Sequence, residues 1–254
     1  MSSKYAELVP QRVSELLENG APVIWPWGAL EWHGDHLPLG LDGIVAENFG
    51  EQLAERVGGV LLPTCWLPIT TLPHRFSLQI TTATLRRILD ESLAGLATAG
   101  ATRIAIVTGH YAQGHEMEMY EAALRAMEDI SGLRVYCAAP LELLGDCMLD
   151  HAGRIETSQL LHLRPDLVQV DVLPPEVTPK AHAVLGAHPG QGSSQEGREL
   201  TEAALELWKE WLDSDRPSLH AHYGQAFDRY QSYVDQFGEG SWEQAIVAWW
   251  ATKS

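Results

Sequence analysis

The segment from Glu31 to Asp42 holds two histidines and three acidic residues within twelve positions. Glu31 and His33 are two residues apart, so in an extended segment both side chains point to the same side. The glycines and the proline that follow can bend the chain and return Asp42 toward them. Carboxylate and imidazole groups that converge in this way suit Zn²⁺, Mn²⁺ or Fe²⁺, and Asp42 can bridge two ions. The alternative is a polar loop in which Asp42 only caps the next helix.

Further side chains capable of chemistry follow other predicted strands. The apolar run Arg103–Thr108 ends in Gly109-His110, and the alternative to a metal ligand at His110 is a histidine bound only to backbone. His151 stands on a turn of small residues, which suits a general acid or base. Glu156 opens a helix, where a carboxylate also complements the helix dipole. Because sites in open α/β sheets lie at the carboxyl ends of strands, we expect these side chains to meet the first segment.

Alternating strands and helices are needed to position these side chains. Apolar, β-branched runs predict strands at residues 23–27, 60–62, 103–108, 133–138 and 168–172. Apolar side chains at helical spacing predict helices at residues 8–17, 43–57, 84–99, 113–130, 156–163 and 194–212. This alternation with short turns predicts an α/β fold, a three-layer α/β/α sandwich around a mostly parallel sheet.

The composition argues against several classes of partner. The formal net charge of −17 disfavours a nucleic-acid ligand, whose phosphates would be repelled. No stretch approaches the roughly 20 apolar residues of a membrane span, and residues 1–5 lack the apolar core of a signal peptide. Three scattered cysteines form no C-x-x-C pair and predict no disulfide framework. We therefore expect a cytoplasmic protein with a small-molecule substrate.

The 254 residues suffice for one large domain, and the composition changes after residue 215. Residues 216–254 hold few aliphatic side chains but many aromatic ones, among them Tyr223, Tyr230, Trp242, Trp249 and Trp250. A unit of about forty residues rarely folds alone. We expect a domain at residues 1–215 and an aromatic C-terminal extension at residues 216–254, which packs on the domain or on a neighbouring subunit.

Three motifs give the chain a resemblance to a known family. They are Gly28-x-x-Glu31-x-His33-Gly34-x-His36-Leu37-Pro38-x-x-x-Asp42, Thr108-Gly109-His110 and His151-Ala152-Gly153-x-x-Glu156-Thr157-Ser158. Over residues 10–212 the chain resembles the creatininase (creatinine amidohydrolase) family, and together the motifs are specific. The resemblance implies a metal-dependent hydrolase of C–N bonds other than peptide bonds, often a homohexamer, with one or two divalent ions per subunit. The substrates that it implies are cyclic or formyl amides.

By motif match, Glu31, His33, Asp42 and His110 fall on the metal ligands of the family, with Asp42 as the bridge. His151 falls on its catalytic histidine. The resemblance thus implies an ion-activated water that attacks an amide carbonyl.

Other side chains would assist that reaction. We expect His151, positioned by Asp150 or by a backbone group, to pass the proton to the leaving nitrogen. Tyr111 is placed to donate a hydrogen bond to the substrate or to the tetrahedral intermediate. The residues expected to line or support the substrate pocket are Trp32, His36 and His74.

One departure from the family pattern affects the second metal ion. Ala112 stands where creatininase carries a glutamate, so a two-ion site needs another oxygen donor. Glu156 is the donor that we expect, ahead of His36 and then of Glu116 or His115. Without such a donor the site would hold one ion.

Other departures concern the substrate. Cys147 and Met148 stand where creatininase carries the aromatic and acidic residues that bind creatinine, so we expect a different small, cyclic amide. The first alternative is a deformylase of a formylamino-pyrimidine, which would need a phosphate clamp that only Arg75 and Arg154 could supply. The second alternative is a non-catalytic metal-binding subunit.

Overall fold

Five parallel strands form the sheet in the part of the chain that the structure describes. The computed structural model describes residues 3–145, 148 and 150–254, so Cys147 lies outside the described part. The strands are β1 (Ser3–Lys4), β2 (Val23–Trp27), β3 (Val60–Leu61), β4 (Arg103–Thr108) and β5 (Arg134–Ala138), in the order β1-β3-β2-β4-β5. Each neighbouring pair is parallel. Strand β2 is buried along its whole length, as expected of a strand covered by helices on both faces.

Helices connect the strands and cover the sheet. They are α1 (Pro10–Glu18), α2 (Leu41–Val57), α3 (Thr82–Thr98), α4 (Gln113–Asp129), α5 (Arg154–Leu163), α6 (Pro179–His182), α7 (Ser194–Trp211), α8 (Arg216–Phe237) and α9 (Trp242–Ala251). Helices α2, α5 and α7 contact one another, and a second group is formed by α3, α4 and α8. The predicted three-layer α/β/α sandwich is confirmed. Among the described residues, none of the helices has the length and hydropathy that a bilayer crossing requires.

The strand predicted at residues 168–172 is wrong. This segment contains a 3-10 turn at Val170–Val172 instead. Its alternation of valine with polar residues is typical of a strand, but it pairs with a loop rather than with the sheet. The backbone N–H of Gln169 donates to the carbonyl of His36 at 2.9 Å, and Val172 is exposed. The segment therefore stabilises the loop that follows β2.

Close backbone contacts bring the ends of β2 and β4 to the start of α2. A Cβ atom added at Gly28 would lie 2.2 Å from the Cα atom of Gly43, and one added at Gly109 would lie 2.0 Å from the carbonyl oxygen of Asp42. Any side chain at Gly28 or Gly109 would thus push the helix away. The first turn of α2 consequently lies directly over the carboxyl ends of two neighbouring strands.

Helix α8 packs against β5, an outer strand of the described sheet. Leu219, Tyr223 and Ala226 of this helix are fully buried and belong to the main hydrophobic core. The hydroxyl of Tyr223 accepts a hydrogen bond from the backbone N–H of Cys137 at 2.9 Å and donates one to the carbonyl of Val135 at 2.7 Å. Aromatic residues of the C-terminal segment therefore pack on the body of the same chain.

Candidate metal centre

The loop between β2 and α2 places His33 beside Asp42. Asp42 lies in the first turn of α2, whose N-terminal cap is Gly40, so its side chain does not cap the helix. The Nε2 atom of His33 lies 2.9 Å from Oδ1 of Asp42. Both side chains are buried. The predicted return of Asp42 toward His33 is thus present in the structure.

His110, two residues beyond the end of β4, approaches the same carboxylate from the other side. The Nδ1 atom of His110 lies 3.2 Å from Oδ2 of Asp42 and 3.0 Å from Oε2 of Glu31. The other oxygen of Glu31 accepts a hydrogen bond from the backbone N–H of Leu72. Each oxygen of Asp42 therefore faces a different histidine, although neither accepts a well-placed hydrogen bond among the described residues.

Backbone carbonyls fix the orientation of both histidine rings. The Nδ1 atom of His33 lies 3.1 Å from the carbonyl of Glu31, and Nε2 of His110 lies 2.9 Å from the carbonyl of Ile69. If these outer nitrogens carry the protons, the inner nitrogens present lone pairs to the carboxylates. This arrangement is typical of histidines that bind metal ions.

Glu156 reaches the centre from the first turn of α5. Its Oε2 atom lies 3.8 Å from Nε2 of His33 and accepts a hydrogen bond from the backbone N–H of Ala152 at 2.6 Å. The hydroxyl of Tyr111 donates to Oε1 of Glu156. Asp150 accepts the backbone N–H groups of Ile155 and Glu156 at 2.8 and 3.0 Å, so it stabilises the start of the helix.

These side chains form two sets of three that share Asp42. One set is Glu31, Asp42 and His110, and the other is His33, Asp42 and Glu156; in each, the ligand atoms lie within 4.8 Å of one another. Oxygen and nitrogen donors of this kind fit Zn²⁺, Mn²⁺ or Fe²⁺. A third set contains Glu31, His33 and His151. His115 and Glu116 belong to none of the three sets.

The buried charges of the centre alter each other's protonation. Burial disfavours the charged form of His33, but Asp42 and Glu156 outweigh it and raise its pKa to about 10. Burial raises the pKa of Glu156 to about 8, against the opposing effect of His33. The nearby carboxylates thus hold a proton on His33, and a divalent cation can take the place of that proton.

His151 lies beside the centre rather than within the two sets that share Asp42. Its ring stacks on His33 with centroids 4.2 Å apart, and its Nε2 atom lies 3.1 Å from the carbonyl of Trp32. Burial lowers the pKa of His151 to about 4, and the charge of His33 adds to this effect. Asp150 is engaged by helix α5, so the partner of the His151 ring is a backbone carbonyl.

A cavity of about 450 Å³ opens onto the centre. The predicted site residues that line it are Glu31, His33, Asp42, His110, Tyr111, Asp150, His151 and Glu156. The structure does not bring Trp32, His36 or His74 to its wall. Trp32 and His74 stack on each other with centroids 4.6 Å apart, and His36 is buried with Nε2 3.3 Å from Oγ1 of Thr157. These three side chains therefore lie away from the wall of the cavity.

Other lining residues escaped the sequence-based predictions. They come from three distant segments: Thr70 and Leu72, Leu185 and Gly186, and the C-terminal residues Arg229, Tyr230, Ile246 and Trp249. The aromatic enrichment of residues 216–254 is the only sequence signal for the last group. That signal does not reveal that the segment folds back to the cavity.

Replacing Glu156 with glutamine is expected to lower the number of bound ions from two toward one, because the change removes an anionic donor from the His33 set alone. The metal concentration required for activity should rise at the same time. Metal analysis of the dialysed protein measures the stoichiometry. Gln159 lies one helical turn further along α5, and Gln159→Ala serves as the control. Two ions bound to both variants would show that Glu156 is no ligand.

Comparison with known proteins gives a consistent result. The family model described as "Creatininase: Creatinine amidohydrolase" matches residues 6–212. A mycofactocin precursor peptide peptidase of Mycobacterium ulcerans (strain Agy99) is 31% identical over 192 residues, which cover 68% of this chain and 73% of that protein. A creatinine amidohydrolase of Pseudomonas putida is 27% identical over 172 residues, 58% of this chain and 65% of its own.

Solved structures also share the fold. A structure named "Creatininase Mn" superposes with a TM-score of 0.73 at 22% identity, covering 83% of this chain and 97% of its own. The strands and helices that carry the centre therefore follow a known architecture.

Proposed function

Because the chain belongs to the creatininase family of amidohydrolases, which act on C–N bonds, we propose that it cleaves an amide bond of a small molecule with the help of one or two divalent ions. The observation that carries this proposal is the carboxylate of Asp42. Its two buried oxygens lie 2.9 and 3.2 Å from the inner nitrogens of two different histidines. A carboxylate so placed can be shared between two cations.

Ions held by the two sets would supply Lewis-acid activation of a water molecule and of the amide carbonyl. The protein's own residues then handle the proton. With Nε2 of His151 donating to the carbonyl of Trp32, Nδ1 is left to accept a proton and to pass it to the leaving nitrogen. Tyr111 donates to Glu156 and thereby keeps that carboxylate oriented toward His33.

The described cavity gives little support to a nucleotide substrate. Arg154 pairs with Glu196, Arg75 lies over the ring of Phe76 at 4.3 Å, and neither arginine lines the cavity. A phosphate clamp built on these two arginines is therefore not supported. Arg229 does line the cavity, but its guanidinium is bound to Glu142 at 3.1 Å. We propose a small, cyclic amide other than creatinine as the first candidate substrate.

A peptide amide is the second candidate. The observation that favours it is the 31% identity to a relative named as a peptide peptidase. The cavity of about 450 Å³ lies within the range of pockets that take drug-sized ligands, so it has room for a short peptide segment.

Metal analysis followed by an activity panel tests the proposal. We expect near-stoichiometric Zn, Mn or Fe in the purified protein and turnover of at least one cyclic amide, formamide or short peptide, abolished by a chelator and restored by the ion. Protein that binds no divalent ion and is unaffected by chelation would contradict the proposal. We also propose that the protein forms a homo-oligomer, expected to be a hexamer, and that it is located in the cytoplasm. Light scattering measures the oligomeric state.

A further inference from the structure

Building on the proposed function, we infer that the C-terminal helix α9 forms a specificity wall of the cavity, and that the substrate is an amide with an apolar aliphatic or aromatic substituent. Ile246 and Trp249 of α9 line the same cavity as the metal centre. Both residues lie beyond residue 212, where the match to the family ends.

The wall belongs to an apolar cluster that is separate from the main core. Leu72, Ala183, Ile246 and Trp250 are its buried members, and Trp32, Leu185 and Trp249 pack against them. The members that face the cavity are Leu72, Leu185, Ile246 and Trp249. The cavity is lined both by the charged side chains of the centre and by these four apolar side chains, which suits a substrate with a polar amide and an apolar group.

Hydrogen bonds hold α9 in place. Nε1 of Trp242 donates to Oε1 of Glu118 at 2.7 Å, and the backbone N–H of Thr82 donates to Oε1 of Glu243 at 2.6 Å. Nζ of Lys180 donates to the carbonyl of Trp250 at 2.5 Å. Because both ends of the helix are tied to the body, its apolar face is preorganised for binding.

The wall also contacts the metal centre through one residue. Leu72 packs with Ile246 in the apolar cluster, and its backbone N–H donates to Oε1 of Glu31. A substrate group that packs against α9 therefore lies next to Leu72, whose backbone N–H orients the proposed metal ligand Glu31. This contact connects the apolar subsite with the position at which the amide is cleaved.

Two hydroxamates test the inference on the metal-loaded protein. Acetohydroxamate carries only the metal-binding head, whereas 3-phenylpropionohydroxamate adds an apolar arm. Titration calorimetry should show about 10- to 100-fold tighter binding of the second compound, the order expected from burial of one aromatic ring. Trp249→Ala should reduce the ratio of the two affinities about tenfold and leave the affinity for acetohydroxamate unchanged. Val247 lies exposed on the same helix, so Val247→Ala should change neither value.

Equal affinity of the unmodified protein for the two hydroxamates would overturn the inference. An affinity ratio that stays high in both Trp249→Ala and Ile246→Ala would overturn it as well. If neither hydroxamate binds, the proposed function fails instead. The wall is then judged by the same titrations with 3-phenylpropionamide and acetamide, which require no ion. Equal binding of these two amides would overturn the inference independently.

Discussion

Replacing Asp42 with asparagine is expected to remove both ions and to reduce turnover to background. The carboxylate faces His33 with one oxygen and His110 with the other, and both ligand sets contain it. Asparagine keeps one oxygen and loses the charge. Loss of an outer partner of a metal ligand already costs about 10- to 100-fold in affinity, so loss of the shared ligand should cost more than about 100-fold. Metal analysis after dialysis measures the effect.

The matched control for this variant is Asp35→Asn. Asp35 lies on the same loop but is exposed, so its replacement should leave the metal content unchanged. Thermal unfolding of both variants establishes that each is folded. An Asp42→Asn protein that retains two ions would refute the assignment of Asp42 as the shared ligand.

The second large effect is expected for His151→Ala. This variant should keep its ions and lose about 10²- to 10⁴-fold in kcat, the usual size of a general acid–base contribution. The reason is geometric, since His151 stacks on His33 and contacts a backbone carbonyl but is absent from both sets that share Asp42. Steady-state kinetics and metal analysis on the same preparation measure the two quantities separately.

The exposed His220 provides the control, because His220→Ala removes an imidazole far from the centre in sequence and should alter neither kcat nor metal content. A His151→Ala protein that loses metal in proportion to activity would give a different result. It would make His151 a ligand, in agreement with the third set that it forms with Glu31 and His33.

Local sequence signals were sufficient to predict the parts of the centre that follow strands. Apolar runs identified β2 and β4, and the carboxyl ends of parallel neighbours must lie together, so Glu31, Asp42 and His110 meet as expected. Glu156 was predicted to reach inward from the start of a helix, and it lies 3.8 Å from His33. Short-range patterns and sheet geometry predicted that these side chains meet, whereas the resemblance to the family implied their roles as metal ligands.

The outer part of the cavity could not be predicted in this way. Trp32 and His74 were expected to line the pocket, but their rings stack on each other and neither lines the cavity. Ile246 and Trp249 occupy the wall because α9 folds back onto segments that are far from it in sequence, and periodicity carries no information on such contacts. Residues 168–172 are a second example. Their alternating pattern is typical of a strand, but whether a neighbouring strand is available for pairing depends on the tertiary structure.

The hydroxyl of Tyr223 has a consequence for how copies of this chain can associate. An unprotected outer strand offers its N–H and C=O groups to the strand of another molecule. In β5, however, the N–H of Cys137 and the carbonyl of Val135 are already bound to Tyr223. A continuous sheet across two copies of this chain therefore cannot form at β5 without displacing α8, so any contact between copies at this edge would involve helix faces or loops.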